Sequence, residues 1–237
     1  MIKIEHTDVY GFESAIRGMR NPMNSWDKSD SFWKVDDTKD RADLYVDGCG
    51  LVIGENDLKL MKSLSKAGSD HGKFLRMINV TLDITAPLYW WKEFDTYKVG
   101  TVANSCSTMH KIHAKEFVIE DFSCEHLLNM NCDLFTTHSE DGLFHTNVQP
   151  IHFLNDYVIP SLNVCREKYL NTNNKEYWWQ MIQLLPSSYN QRRTVQLNYQ
   201  VLKSLYPVRK AHKLDEWVEF CKWCESLPYF KEICIEP

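Results

Sequence analysis

Side chains able to hold a phosphate are concentrated near the middle of the chain. The run Asn104-Ser105-Cys106-Ser107-Thr108-Met109-His110 joins an amide, hydroxyls and an imidazole in one short polar stretch. Hydroxyl-rich turns and their backbone N–H groups bind anionic oxygens, so this stretch could take the phosphate of a nucleotide or a flavin. Two other spacings suggest metal chemistry more weakly. Cys221 and Cys224 form a C-x-x-C pair, but no second pair accompanies it, and Trp217, Phe220, Cys221 and Cys224 share helical spacing, which favours a buried helix face. His110-x-x-His113 has no neighbours that complete a ligand set. No metal is expected.

The elements that must carry these residues follow from periodicity. Ile78, Val80, Leu82 and Ile84 alternate with Asn79, Thr81 and Asp83, which predicts a half-buried strand over 76–85. An amphipathic aromatic helix over 88–98 comes next and delivers the chain to the polar stretch. MIKIEHTDVY reads as a short strand. Residues 21–43 are polar and turn-rich with two tryptophans, and read as a long loop or lid. After Gly54, Asn56 or Asp57 can cap a helix that runs to Lys66 and ends at Ala67-Gly68. Residues 123–149 favour no single element. A helix is expected over 153–169, bent early by Pro160, then a loop at NTNNK and a buried helix over 177–185 that Pro186 breaks. Leu197, Val201 and Leu205 predict a helix over 192–206, stopped by Pro207, and a last helix covers 214–226. The sum is one α/β (α+β) domain over 1–237, with more helix than strand.

Composition sets outer limits. At 237 residues, 43% apolar and 25% charged, the chain can bury a substantial core. A net charge of −5 provides no basic field for DNA or RNA. The sequence contains no membrane-length apolar run and no signal peptide, so a cytoplasmic protein is expected and its eight cysteines should be free thiols. The aromatic load, including Trp90, Trp91, Trp178 and Trp179, suits a large core, interfaces or planar-ring recognition.

Three segments, in order, resemble the flavin-dependent thymidylate synthases. GSDHGKF at 68–74 is similar to the family's Ser-Pro-x-Glu-His turn, with His71 on the family histidine. The strand, Ala86-Pro87 and the aromatic helix then lead to a counterpart of Arg-His-Arg-x-x-Ser-x-Asn-Glu-x-Ser-x-Arg-Tyr. Here that signature reads Thr96-Tyr97-Lys98-Val99-Gly100-Thr101, then Asn104 after one extra residue, then Ser107-Thr108-Met109-His110. The third segment, LLPSSYNQRRTVQLNYQVLKSLYPVRKAHKLDEW at 184–217, resembles the family's Leu-Pro, Asn-x-Arg and Leu-Arg run through Asn198, Gln200 and Arg209. Together these segments cover about half the chain.

The resemblance implies a central antiparallel sheet with long helices, and reductive methylation of dUMP at C5 to dTMP. FAD, NADPH and methylenetetrahydrofolate are the implied cofactors, and a homotetramer whose sites form between subunits is the implied assembly. His71, Tyr97, Lys98, Thr101, Asn104, Asn198 and Gln200 fall on cofactor positions. Ser107, Thr108 and Arg209 fall on the side of the pyrimidine nucleotide, with Arg209 the catalytic cation, and Arg192 is expected to bind substrate there as a replacement cation. Each has a plainer reading beside it: His71 as a surface imidazole, Asn198 as a cap or buried-network amide, Tyr97 as packing, and Arg209 as a cation complementing a helix dipole.

Four family cations are neutral here: Arg-His-Arg keeps only Lys98, the substrate-phosphate arginine is Met109, Asn-x-Arg ends in Gln200, and the arginine before Leu-Pro falls near Ile182 or Gln183. Lys111, Lys115, Arg192 and Arg193 are the available replacements. The same departures leave open a family member that binds a nucleotide or partner protein without catalysis, or a flavoenzyme acting on another substrate.

Overall fold

The computed structural model describes residues 1–34, 50–128, 136–138, 145–147 and 149–237. The expectations for 35–43 and for most of 129–148 therefore lie outside the described residues.

β1 (Lys3–Tyr10) leads through Gly11 into α1 (Phe12–Arg20). Gly11 has φ +98°, and a Cβ there would sit 2.1 Å from the Met77 carbonyl oxygen, so the turn needs glycine. Single-turn 3-10 helices at Asn21–Met23 and Trp26–Lys28 precede β2 (Phe32–Trp33), which pairs antiparallel with β3 (Leu51–Val52). α2 (Glu55–Lys66) starts after Gly54 and ends at Ala67, where Gly68 has φ +106°. A 3-10 turn (Gly72–Arg76) joins it to β4 (Asn79–Pro87), whose alternate residues are buried as the sequence predicts. α3 (Leu88–Phe94) and β5 (Val102–Ser105) follow, then the antiparallel pair β6 (Thr136–His138) and β7 (His145–Asn147).

α4 (Pro150–His152), a π-helical segment (Phe153–Val158) and α5 (Ile159–Thr172) form one continuous helical run. Pro160 lies where the hydrogen-bond ladder changes from π to α, a place that tolerates a missing N–H. α6 (Lys175–Leu184) follows Asn173, which is left-handed at φ 54°. The chain ends with β8 (Asn190–Asn198), α7 (Tyr199–Arg209), α8 (Asp215–Ser226) and a π turn (Lys231–Ile235). The main sheet has the order β1-β4-β8-β5, and the architecture is mixed, with an antiparallel sheet and helices. No helix among the described residues is long and apolar enough to cross a membrane.

The expected helix over 192–206 is corrected. Residues 190–198 are a strand, and the helix begins only at Tyr199. Leu197, Val201 and Leu205 are spaced for a helix, but Val195 and Leu197 also alternate with Thr194 and Gln196, and pairing within the sheet decides between the two patterns. Pro207 does not stop α7, which continues to Arg209. Its missing N–H costs one bond near the helix end, and Lys210 N–H still reaches the Tyr206 carbonyl at 2.9 Å.

The described chain packs as two compact units. One comprises Met1, Thr85–Trp91 and Ser105–Arg192, and the other Ile2–Ile84, Lys92–Asn104 and Arg193–Pro237. In the first, Ile112, Phe117, Phe122, Leu154, Ile159, Leu162 and Met181 form the core under α5 and α6. In the second, Leu82, Leu197, Leu202, Leu205, Trp217 and Phe220 are buried, and Phe12 and Phe230 pack edge-on against Tyr199, whose hydroxyl donates to the Pro228 carbonyl at 2.7 Å. Cys221 and Cys224 are buried on α8; burial pushes the Cys221 thiol up to about 11 and the Cys224 thiol well above its usual range. The described cysteines are free thiols.

Residues 21–34 are tied down through one buried carboxylate rather than hanging as a lid. Asp57 on α2 accepts from Arg20 Nε at 2.6 Å, Ser29 Oγ at 2.8 Å, Ser31 Oγ at 2.7 Å and the Asp30 and Ser31 amides. Asp30 in turn caps α2 by accepting from the Asn56 and Asp57 amides. Burial alone would raise the Asp57 pKa, but the donors from Ser31, Ser29 and Arg20 outweigh it and lower the value below 3.8. A depressed carboxylate stabilises the fold above its unfolded value and loses that contribution as pH falls through the folded one. Asp57→Ala leaves Arg20 buried and unpaired and should cost about 3–5 kcal/mol in denaturant unfolding at neutral pH. The gap to wild type should narrow in acid.

Candidate functional site

Two clefts gather most of the residues singled out in the sequence, one in each unit. The first has a volume of about 490 Å³ and is lined by Thr85, Cys106, Ser107, Thr108, Lys111, Ile112, Lys115, Phe117, Glu120, Asp121, Tyr189, Asn190, Gln191 and Arg192. Backbone pairing places the hydroxyl-rich stretch here: Cys106 N–H donates to the Arg192 carbonyl at 2.9 Å, and Gln191 Nε2 donates to the Cys106 carbonyl at 2.7 Å. The stretch then turns, with Ser107 Oγ accepting from the His110 amide at 2.9 Å. That bond uses an oxygen lone pair and leaves the Ser107 O–H free to donate.

Ser107, Thr108 and Arg192, all expected on the nucleotide side, therefore meet in one cleft with Lys111 and Lys115. Lys115 is paired with Asp121, whereas Lys111 makes no ion pair with a described residue. Burial, and then the charges of Asp121 and Cys106, raise the Tyr189 pKa, so its phenol stays neutral and can donate as well as accept.

The second cleft, of about 510 Å³, is lined by Arg76, Thr96, Tyr97, Lys98, Val99, Gly100, Asn198, Gln200, Val201 and Ser204. Four expected cofactor residues, Tyr97, Lys98, Asn198 and Gln200, are thus brought together. Asn198 is not mid-helix as expected. It is the N-cap of α7, its Oδ1 accepting from the Val201 amide at 3.1 Å, a place where asparagine is among the preferred residues. Its Nδ2 lies 3.0 Å from where a Cβ on Gly100 would stand, and Gly100 has φ +80°, so the 96–100 loop reaches the helix start only with glycine there.

His71, Thr101 and Asn104 are not among the lining residues. His71 is exposed and precedes Gly72, whose Cβ position is 3.9 Å from Gln200 Oε1. The Thr101 hydroxyl is buried with no hydrogen-bond partner among the described residues, the kind of orphaned donor that a small shift or a ligand satisfies. Asn104 is exposed on β5.

Arg209, at the end of α7, sits in an aromatic and acidic setting. Its Nη1 pairs with Glu93 Oε2, its Nε donates to the Tyr97 hydroxyl at 2.9 Å, and its guanidinium lies 4.4 Å from the Trp217 ring centroid. Trp217 Nε1 also donates to Glu93 Oε2 at 3.0 Å, and His212 Nε2 lies 3.1 Å from Arg209 Nη1. Arg193, one of the possible replacement cations, is instead paired with Asp95 at 2.7 Å. Sequence reasoning missed Arg76, Glu93 and Trp217. Nothing local marks them: Glu93 meets Trp217 and Arg209 from more than a hundred residues away, and Arg76 reaches its cleft only through the fold.

No protein-family model matches this chain, and no curated protein does. Solved structures do match. Thymidylate Synthase X (ThyX) from Helicobacter pylori with FAD and dUMP aligns at a TM-score of 0.63 and 16% identity, covering 100% of this chain and 98% of that one. A second structure of that enzyme, also complexed with FAD and dUMP, gives 0.62 and 16% over 99% and 98%. A UMP/dUMP methylase, PolB from Streptomyces cacaoi, bound with 5-Br dUMP, gives 0.55 and 14% over 98% and 94%. What is shared at these identities is the fold, and it is shared along the whole chain. The fold is that of the flavin-dependent thymidylate synthases.

Gly100→Ala should lower stability by about 1–2 kcal/mol, since a side chain is strained in a left-handed conformation and would press on the Asn198 amide. Thermal unfolding measures this; an unchanged midpoint would show that the 96–100 loop is not held as described.

Proposed function

We propose that the protein is a divergent flavin-dependent thymidylate synthase, or a close relative that modifies C5 of a pyrimidine nucleotide such as dUMP. The observation that carries this reading is the gathering of Tyr97, Lys98, Asn198 and Gln200 in one cleft and of Ser107, Thr108 and Arg192 in the other. The sequence resemblance, with Arg192 as a replacement cation, groups those same residues by ligand. The full-length likeness in fold to structures solved with FAD and dUMP supports it.

In this reading the cleft around Ser107 holds the nucleotide phosphate. Ser107 donates its hydroxyl, Thr108 its amide and hydroxyl, and Lys111 and Arg192 supply the charge that Met109 does not. Charge-assisted bonds are roughly twice as strong as neutral ones, so two cations here offset the loss of the family arginine.

The cleft around Lys98 holds FAD. A donor-rich wall, a tyrosine ring and the absence of any carboxylate among its lining residues fit an anionic dinucleotide. When bound, FAD relays a one-carbon unit from methylenetetrahydrofolate, with NADPH as reductant, which is chemistry the side chains do not supply. Asn198, with His71 beside the cleft, would hold the flavin ring, and Thr101 and Asn104 would serve its ribityl or phosphate part.

Arg209 acts on the pyrimidine. As electron density builds in the ring, negative charge grows on its carbonyl oxygens, and a guanidinium held in advance stabilises that charge as it develops. Glu93, Tyr97 and Trp217 fix the plane of this guanidinium, and none of the bonds described uses its Nη2. The complete site forms between protomers of a homotetramer, so an isolated protomer is inactive.

Release of tritium from 5-tritiated dUMP tests the reaction, with the visible flavin spectrum of the purified protein as the first control. Exchange should be present in wild type and fall by about 100-fold or more in Arg209→Ala, the scale seen when one preorganised charge-stabilising donor is removed. A protein that carries flavin but never exchanges the C5 proton acts on another substrate. One that carries no flavin, yet binds dUMP, favours the binding-only alternative.

A further inference from the structure

We propose that Arg76 is an anion-binding residue of the Lys98 cleft and supplies, for the diphosphate of a flavin dinucleotide, positive charge that Thr96 and Gln200 do not carry. The assignment rests on the reading of that cleft as the FAD site.

The argument begins with how the cations of this unit are used. Arg20 is bound to Asp57, Arg193 to Asp95 and Arg209 to Glu93, and the Lys203 ammonium donates to the carbonyl and hydroxyl of Ser65. Arg76 is different. It lines the cleft and is exposed, yet its side chain makes no hydrogen bond, ion pair or ring contact with a described residue. The Lys98 side chain, in the lining of the same cleft, likewise makes no such contact with a described residue. No Asp or Glu lines the space between them, so the lining carries two formal positive charges with only amides, hydroxyls and a phenol beside them.

Two like charges facing one cavity without a carboxylate repel each other, and an anion placed between them removes that repulsion. A diphosphate carries the negative charge to answer both, and a guanidinium suits phosphate because its N–H groups donate as a fork.

The position is also well supported. Arg76 is the last residue of the 3-10 turn Gly72–Arg76, held by the buried side chains of Phe74 and Leu75 and by the Met77 amide bonded to the Phe74 carbonyl at 2.9 Å. The turn packs against α1, α2 and α7. A long exposed side chain on a fixed backbone can be exchanged without disturbing the core.

The test compares full-length wild type, Arg76→Gln and Arg76→Lys in fluorescence titrations with FAD and riboflavin, and in calorimetric titrations with inorganic pyrophosphate. Circular dichroism and thermal unfolding check that each variant keeps its fold. The expected result is that Arg76→Gln weakens FAD and pyrophosphate by about tenfold or more, that Arg76→Lys recovers part of the loss, and that riboflavin binding does not change. If Arg76→Gln binds FAD and pyrophosphate as wild type does, the assignment of Arg76 is overturned while the flavin reading stands. Arg76-dependent binding of pyrophosphate by a wild type that takes neither flavin would keep the anion site and overturn the flavin reading. Binding of none of the three by wild type overturns both.

Discussion

The change from strand to helix at Asn198 is the constraint on which the placement of the functional residues depends. β8 ends at this residue and α7 starts at the next, with no connecting loop. Two bonds make the switch possible: the Asn198 side chain caps the helix at the Val201 amide, and the Tyr199 amide donates to the Ile78 carbonyl. A helix start leaves several N–H groups without intrahelical partners, and an asparagine that serves one of them defines where the helix can begin. Residues before the switch follow strand geometry, so Arg192 and Arg193 point to opposite faces. Those after it follow helical geometry, with Gln200 in the first turn of α7 and Arg209 in the last.

Charge is distributed with comparable economy. Several cations of the larger unit are bound to a carboxylate or carbonyl of the protein itself, and those bonds locate segments: Arg20 through Asp57 holds residues 21–34, and Arg209 through Glu93 joins the end of α7 to α3. Buried pairs of this kind add specificity of arrangement more than net stability. Among the described cations without such a bond, Arg76 and Lys98 line one cavity and Lys111 the other, each large enough for a ligand. A family signature whose arginines have become neutral can retain phosphate binding if cations arrive from positions outside the signature.

Parts of this arrangement could be read from the residues. The alternation over 78–84 predicted β4, the Gly54 and Gly68 boundaries predicted α2, and the spacing of Trp217, Phe220, Cys221 and Cys224 predicted the buried face of α8. The third family-like segment was recognised, but its secondary structure was misread, because four-residue spacing of leucine and valine was counted without the competing alternation of Val195 and Leu197. Of the site, the grouping of Ser107 with Thr108 and of Tyr97 with Lys98 was accessible from adjacency. The grouping of either pair with β8 or α7 was suggested only by the resemblance.

By itself, then, the sequence determined the local elements with one strong periodicity, the chemical types available to a phosphate and a ring, and the family-like order of three motifs. These are short-range properties, set by side-chain spacing, caps and glycine conformations. The tertiary structure alone decided that 190–198 would be a strand, that Asn198 would cap a helix, that Arg209 would lie between Glu93 and Trp217, and that Arg76 would line one cleft with Lys98. Each of those outcomes depends on pairing between residues remote in the chain, where burial and hydrogen bonding across the fold outweigh the modest intrinsic preference of any one segment.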